Sequence, residues 1–198
     1  MTQDILVIHG GNSFRTREDY LSWLKHKTVL REDLQKQDWK ASLGARLGEG
    51  FEVFAPRMPN PQNAVYEEWK IWFEKVVAQM NDGAILVGHS LGGVFLAKYL
   101  AQEKCQRQIK AIFLVAPLFE SAGGEVPEFA LPDSLAGVTN QVPKIHLYHS
   151  EDDPVIPFDH LFKYQAALPD AVTSIFGDRG HFNMAQFPEI VDDIRAAA

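Results

Sequence analysis

Six short apolar-rich runs, at residues 4–9, 51–55, 84–88, 111–116, 144–149 and 171–176, are separated by longer stretches of helical periodicity. Several of the runs are nearly unbroken. A strand with one face in water alternates apolar and polar residues, so an unbroken run predicts a strand covered on both faces, as in a parallel sheet. The intervening stretches predict helices over 31–47, 64–80, 91–102, 158–168 and 188–196. The most regular is 64–80, where Val65, Trp69, Trp72, Phe73, Val76, Val77 and Met80 fall on one stripe, read here as core packing. Parallel strands joined by helices require right-handed crossovers. The expectation is a single α/β domain over 1–198, a three-layer sandwich on a mostly parallel sheet of about six strands.

At 198 residues and 46% hydrophobic, the chain can bury a core without a disulfide or structural metal. Its single cysteine, Cys105, excludes an intramolecular disulfide and a cysteine-type zinc site, and reads as an incidental thiol. A formal net charge of −7 argues against nucleic acid and against an anionic membrane surface. No apolar run reaches the roughly 20 residues of a membrane helix. The residues before Ile5 lack a basic region and lead straight into a strand, so the opening is not read as a signal peptide and a cytoplasmic protein is expected. The sequence does not fix an oligomeric state.

Two segments interrupt the strand–helix rhythm. Residues 10–30 are polar and aromatic, and 118–141 contain Gly123-Gly124, Pro127, Pro132 and Gly137, a possible small cap. Long connections in a compact domain are usually functional. Both follow the C-terminal ends of strands, where α/β sheets place ligands.

Gly88-His89-Ser90-Leu91-Gly92 matches G-x-S-x-G and lies between a predicted strand and a predicted helix. In such an elbow the chain reverses so sharply that the serine is strained and its neighbours two residues away must lack side chains. The hydroxyl then stands clear of the sheet, with the Leu91 N–H beside it at a helix N-terminus.

A serine hydroxyl needs a base, and the base needs an orienting acid, in the chain order serine, acid, histidine. His9, His26 and His89 fail that order. His146 lies inside a strand and reads as core, His149 ends that strand, and His160 falls on the next helix. His181, after the last strand in Gly180-His181-Phe182, is the favoured base. The favoured acid is Asp153, whose successor Pro154-Val155-Ile156-Pro157 is rigid and apolar enough to fix a carboxylate. Asp152 is the near alternative, Glu120 a more distant one, and Asp178 reads as a charged surface loop. For the oxyanion, His9-Gly10-Gly11-Asn12 ends the first strand with consecutive glycines. The expected donors are the N–H groups of Gly11 and Leu91, with Asn12 as substitute. Substrate contacts are expected from Asn12, Ser13, Phe14, Leu118 and Phe119, with residues further along, up to Leu131, forming a small mobile cap.

With these motifs in place, the sequence resembles the α/β-hydrolase superfamily, from His9-Gly10-Gly11 through Gly88–Gly93 and Asp153–Pro157 to Gly180-His181. The short length and Met58-Pro59-Asn60-Pro61 before a Trp-rich helix look like the small serine hydrolases related to retinoblastoma-binding protein. The resemblance implies Ser90 as nucleophile, Asp153 as acid and His181 as base. It also implies hydrolysis of small-molecule carboxylic esters or related acyl bonds, with neither metal nor cofactor. Compared with the larger members, which carry further N-terminal strands, a sheet of about six strands is expected, by analogy in the order 2-1-3-4-5-6. Two alternatives stay open: a non-catalytic protein-binding module on the same fold, and an acyltransferase using the same three residues.

Overall fold

The computed structural model describes residues 2–31, 34–35, 37–120 and 127–198. In chain order the elements are β1 (Gln3–Ile8), α1 (Arg17–His26), α2 (Trp39–Leu47), β2 (Phe51–Phe54), α3 (Tyr66–Val77), β3 (Ala84–His89), α4 (Leu91–Gln102), β4 (Ile109–Val115), a 3₁₀ turn (Pro127–Phe129), α5 (Ala136–Gln141), β5 (Ile145–Ser150), α6 (Asp159–Ala167), β6 (Val172–Phe176) and α7 (Pro188–Ala197). The six strands form one sheet in the order β2-β1-β3-β4-β5-β6, and every pairing is parallel. This is the predicted α/β-hydrolase arrangement, with the predicted strand order.

The unbroken apolar runs have the expected cause. Along β1, Ile5 and Val7 belong to one buried cluster, with Ile85, Val87, Phe113 and Tyr148, packed under Trp39 and Leu43 of α2 and Ile190 and Ile194 of α7. Leu6 and Ile8 belong to the other, with Leu86, Ile112, Leu114 and Leu147, beneath Trp69 and Phe73 of α3, Phe95 of α4 and Leu161 of α6. Each strand thus feeds two cores. Each fully buried large side chain contributes about 1.5–3 kcal/mol.

Three local expectations are corrected. The helix expected over 31–47 begins only at Trp39, where Asp38 caps it by accepting the Lys40 N–H at 3.0 Å; residues 32, 33 and 36 lie outside the described residues. The segment 10–30, read as a long polar and aromatic connection, contains α1, capped by Thr16, whose hydroxyl accepts the Asp19 N–H at 3.1 Å. In α3, Trp72 is 42% exposed. At about 100° per residue, it lies about 100° from the middle of the Trp69–Phe73–Val77 stripe.

Residues 121–126 of the expected cap lie outside the described residues. Beyond them, Phe129, Leu135 and Val138 are buried in the α3–α4 core, and the Gln141 amide donates to the carbonyls of Leu100 and Glu103, both at 2.8 Å. Residues 127–141 are therefore fastened to α4. No helix among the described residues is long and apolar enough to cross a membrane.

Candidate active site

Parallel strands deliver their C-terminal ends to one edge of the sheet. The registers Ile5↔Ile85 and Ile8↔Gly88 set the end of β1 beside the end of β3, so Gly10 and Gly11 adjoin Ser90 and Leu91. A Cβ built on Gly10 would stand 3.1 Å from the Ser90 Cβ.

Ser90 has φ 54°, ψ −121°, a left-handed backbone that is costly for a serine. It is held there by its N–H donating to Val115 at 2.8 Å and by its carbonyl accepting from Gly93 at 2.9 Å. The two flanking glycines make this turn possible. A Cβ on Gly88 would lie 2.6 Å from the Gly92 carbonyl oxygen, and one on Gly92 would strike the carbonyl oxygens of Ile8 and His9. Ser90 Oγ has no hydrogen-bond partner among the described residues, and no hydrogen bond joins it to His181.

On the neighbouring strand ends, His181 Nδ1 lies 2.8 Å from Asp153 Oδ2 and 3.1 Å from Oδ1. The Asp153 side chain is fully buried and that of His181 is 9% exposed. Burial opposes the Asp153 charge, but the His181 contact and the N–H groups of Ile156 and Val155 outweigh it and hold the carboxyl below its ordinary pKa. Those N–H groups donate at 3.0 and 2.8 Å. The rigid Pro154–Pro157 turn thus supplies both donors. Asp152 faces elsewhere: its Oδ1 accepts from Ser150 Oγ and, at 2.8 Å, from the Gly180 N–H. Glu120 pairs with Lys163, and Asp178 with Arg179 at 3.7 Å. The imidazole of His181 therefore pairs with Asp153, while Asp152 ties down the loop that carries it.

His9 explains the orientation of the Gly10–Gly11 peptide. The His9 Nε2 accepts the Met58 N–H at 2.9 Å, so Nδ1 carries the proton and donates to the Gly10 carbonyl at 2.6 Å. In a trans peptide the following N–H points the opposite way, so the Gly11 N–H turns away from His9. The Asn12 N–H is committed to the Pro61 carbonyl at 2.9 Å, which removes Asn12's main chain as the substitute donor. The N–H groups of Gly11 and Leu91 have no acceptor among the described residues.

These groups border a cavity of about 270 Å³ lined by Gly11, Asn12, Ser13, Phe14, Trp23, Ser90, Leu91, Leu118, Val155 and Ile156. Among the described residues, no lining side chain is ionisable. Phe119, expected here, does not line it; its N–H donates to His160 Nδ1 at 3.0 Å and its ring packs on Tyr164. Trp23, Val155 and Ile156 were not anticipated. Trp23 arrives on α1, its ring centroid 5.4 Å from that of Phe14 on the same cavity wall and stacked on Tyr20. A larger opening of about 710 Å³, lined by Tyr20, Arg57 and residues 58–63 among others, contains none of the predicted site residues. His146, expected in the core, is half-exposed and stacks on Phe113 at 4.4 Å. Cys105 is buried, and burial raises its thiol pKa.

The serine hydrolase family model matches residues 5–190, nearly the whole chain. The chain belongs to the serine hydrolase family. It is 27% identical over 151 residues to the serine hydrolase RBBP9 of Rattus norvegicus, covering 74% of this chain and 78% of that protein. It is 24% identical over 189 residues to the putative hydrolase YdeN of Bacillus subtilis, covering 92% and 87%. The crystal structure of the B. subtilis ydeN product superposes with a TM-score of 0.76 at 20% identity, over 99% of this chain and 98% of that one. A carboxylesterase structure from the thaumarchaeon Nitrososphaera gargenis gives 0.64 at 13% identity, over 98% and 89%. Likenesses at these identities establish the fold, and the hydrolase family rests on the sequence match.

Proposed function

We propose that this serine hydrolase cleaves carboxylic esters of small, uncharged acyl groups through an acyl-enzyme on Ser90. The observation that carries the reading is the buried Asp153–His181 pair, joined through the His181 carbonyl to His89, the residue before a serine held at positive φ. Ser90 Oγ attacks the acyl carbon as its proton passes to His181 Nε2. Asp153 stays ionised, fixes the imidazole tautomer and stabilises the imidazolium. The tetrahedral oxyanion takes hydrogen bonds from the Gly11 and Leu91 N–H groups. Collapse expels the alcohol, which receives the proton from Nε2, and water repeats the sequence to free the acid.

The cavity lining supports the acyl specificity. Among the described residues, Phe14, Trp23, Leu118, Val155 and Ile156 give an apolar wall without a counter-charge, so a charged acyl group would be desolvated unpaired. Apo geometry without a serine–imidazole hydrogen bond is compatible with the mechanism, since such bonds tighten when substrate binds.

The test is labelling by a fluorophosphonate together with turnover of a p-nitrophenyl ester. Wild-type protein is expected to label at Ser90, and Ser90→Ala to lose both signals while staying folded. Unchanged turnover in Ser90→Ala overturns the assignment. A folded wild type that neither labels nor turns over favours the protein-binding module. Product partition toward an added alcohol or thiol would mark an acyltransferase.

A further inference from the structure

His89, the residue immediately before Ser90, is 4% exposed and is not one of the three residues assigned to the reaction. Its Nε2 lies 2.9 Å from the carbonyl oxygen of His181, and its Nδ1 lies 3.2 Å from Lys40 Nζ. A carbonyl oxygen only accepts and an ammonium only donates. One species satisfies both neighbours: neutral imidazole with its proton on Nε2. Imidazolium would turn an N–H toward the Lys40 ammonium. Burial, and then the Lys40 charge, push the His89 pKa well below the ordinary histidine value.

The surroundings fit a fixed tautomer. Lys40 is ion-paired with Asp38, the cap of α2. The other titratable groups facing the ring are His181, its ring centroid 5.0 Å away, and His9 at the end of β1; among the described residues no carboxylate touches it.

We propose that His89 is a positioning residue for the base, clamping the main chain of His181 in a donating tautomer that Lys40 locks. The inference rests on the Ser90–His181–Asp153 reading above. Asp153 holds the imidazole at Nδ1, and His89 holds the carbonyl of the same residue. Two restraints, one on the side chain and one on the backbone, decide where Nε2 points. Because His89 is bonded in sequence to Ser90, the spacing of nucleophile and base is set by one direct hydrogen bond. The first turn of α2 continues the grip: the Trp39 indole donates to Phe182 and its main-chain N–H to Met184, both at 2.9 Å. A misplacement near 1 Å costs on the order of 100-fold in rate, so such a clamp has kinetic consequence.

The full chain is tested in two ways. In the wild type, long-range ¹H–¹⁵N correlation of His89 is expected to show the neutral Nε2–H tautomer from about pH 6 to pH 8. A charged ring or the Nδ1–H tautomer overturns the proposal. In variants, His89→Leu removes the donor, His89→Gln places an amide N–H near the Nε2 position, and Lys40→Met releases the tautomer. Turnover of p-nitrophenyl acetate is expected to fall about tenfold or more in kcat for His89→Leu, with KM within about twofold. His89→Gln is expected to recover most of that loss, and Lys40→Met to fall between. Wild-type kcat in His89→Leu, or His89→Gln falling as far as His89→Leu, overturns it. If His89→Leu does not fold, the tautomer and the other two variants decide. Failure of the wild type to label at Ser90 would strike the underlying reading instead, and the tautomer measurement separates the two failures.

Discussion

Trp39 and Phe182, 143 residues apart in sequence, are joined by a buried hydrogen bond from the indole N–H to the carbonyl oxygen at 2.9 Å. Phe182 follows His181 and is itself at φ 51°, a conformation that persists only where its surroundings enforce it. Its ring is fully buried against Phe176 and Phe187. Trp39→Phe keeps the aromatic bulk and orphans the carbonyl. The expected outcome is a loss of about 1–3 kcal/mol by chemical denaturation, with kcat reduced more than KM is raised. Unchanged denaturation would show that packing alone holds the loop.

Asp153→Asn tests the acid. An amide in this position still meets the Val155 and Ile156 N–H groups but no longer fixes the imidazole tautomer. Ester turnover is expected to drop by about 10³–10⁴ in kcat, with the far-ultraviolet circular dichroism unchanged. The same variant reports on pH. The folded Asp153 carboxyl sits below its ordinary value of 3.8, so its stabilising contribution is complete above that value and fades as pH falls through the folded pKa. The stability gap between wild type and Asp153→Asn is therefore expected to close as pH falls below about 4. A gap that widens over that acid range would contradict the sign.

Gly92→Ala places a methyl group against the Ile8 and His9 carbonyl oxygens, 2.6 Å from the latter. Neither β1 nor the elbow can yield without moving the other. A loss of about 3 kcal/mol, or of soluble protein altogether, is expected. Gly177→Ala is the control: nothing lies within 4 Å of an added Cβ there, and the expected change is within about 0.5 kcal/mol. Urea midpoints for the two variants check both.

Trp23 forms one wall of the 270 Å³ cavity. Trp23→Ala enlarges it without opening a core, since α1 has no buried residue. The ratio of kcat/KM for a p-nitrophenyl octanoate over the acetate is expected to rise at least about fivefold, as one methylene in an apolar pocket is worth about 1–3 kcal/mol. An unchanged ratio would move the acyl group out of this cavity.

The sheet was legible because each parallel strand is buried on both faces, and β1, β3 and β4 spell that out as unbroken apolar runs. The serine elbow was legible for the same reason: Gly88 and Gly92 are forced by sterics, so the residue types themselves carry the geometry. What escaped has a common physical cause. α1 buries no residue, so it leaves no apolar period, and Trp23 could not be assigned to the cavity. Its start is marked by the Thr16 cap and the acidic Glu18 and Asp19 of its first turn. The late start of α2 depends on one side chain, Asp38, within an otherwise helix-compatible stretch. Asp152 and Asp153 are adjacent and chemically alike; their separation of tasks arises from which N–H groups the following prolines deliver. The use of His9 and His89 as neutral, tautomer-fixed hydrogen-bonding groups depends on partners 49 and 92 residues away, which no local pattern encodes.

The ten-residue helix α1 contributes a wall to the cavity and nothing to either core, and it presents Leu21 and Leu24 to solvent at 39% and 40% exposure. If the proposed cavity takes the acyl group, selection on what is accepted and selection on whether the chain folds act on different stretches of it. A lineage carrying this architecture would then be free to rewrite that helix by drift, shortening or replacement and so explore new substrates, while the strands stay under an undisturbed constraint.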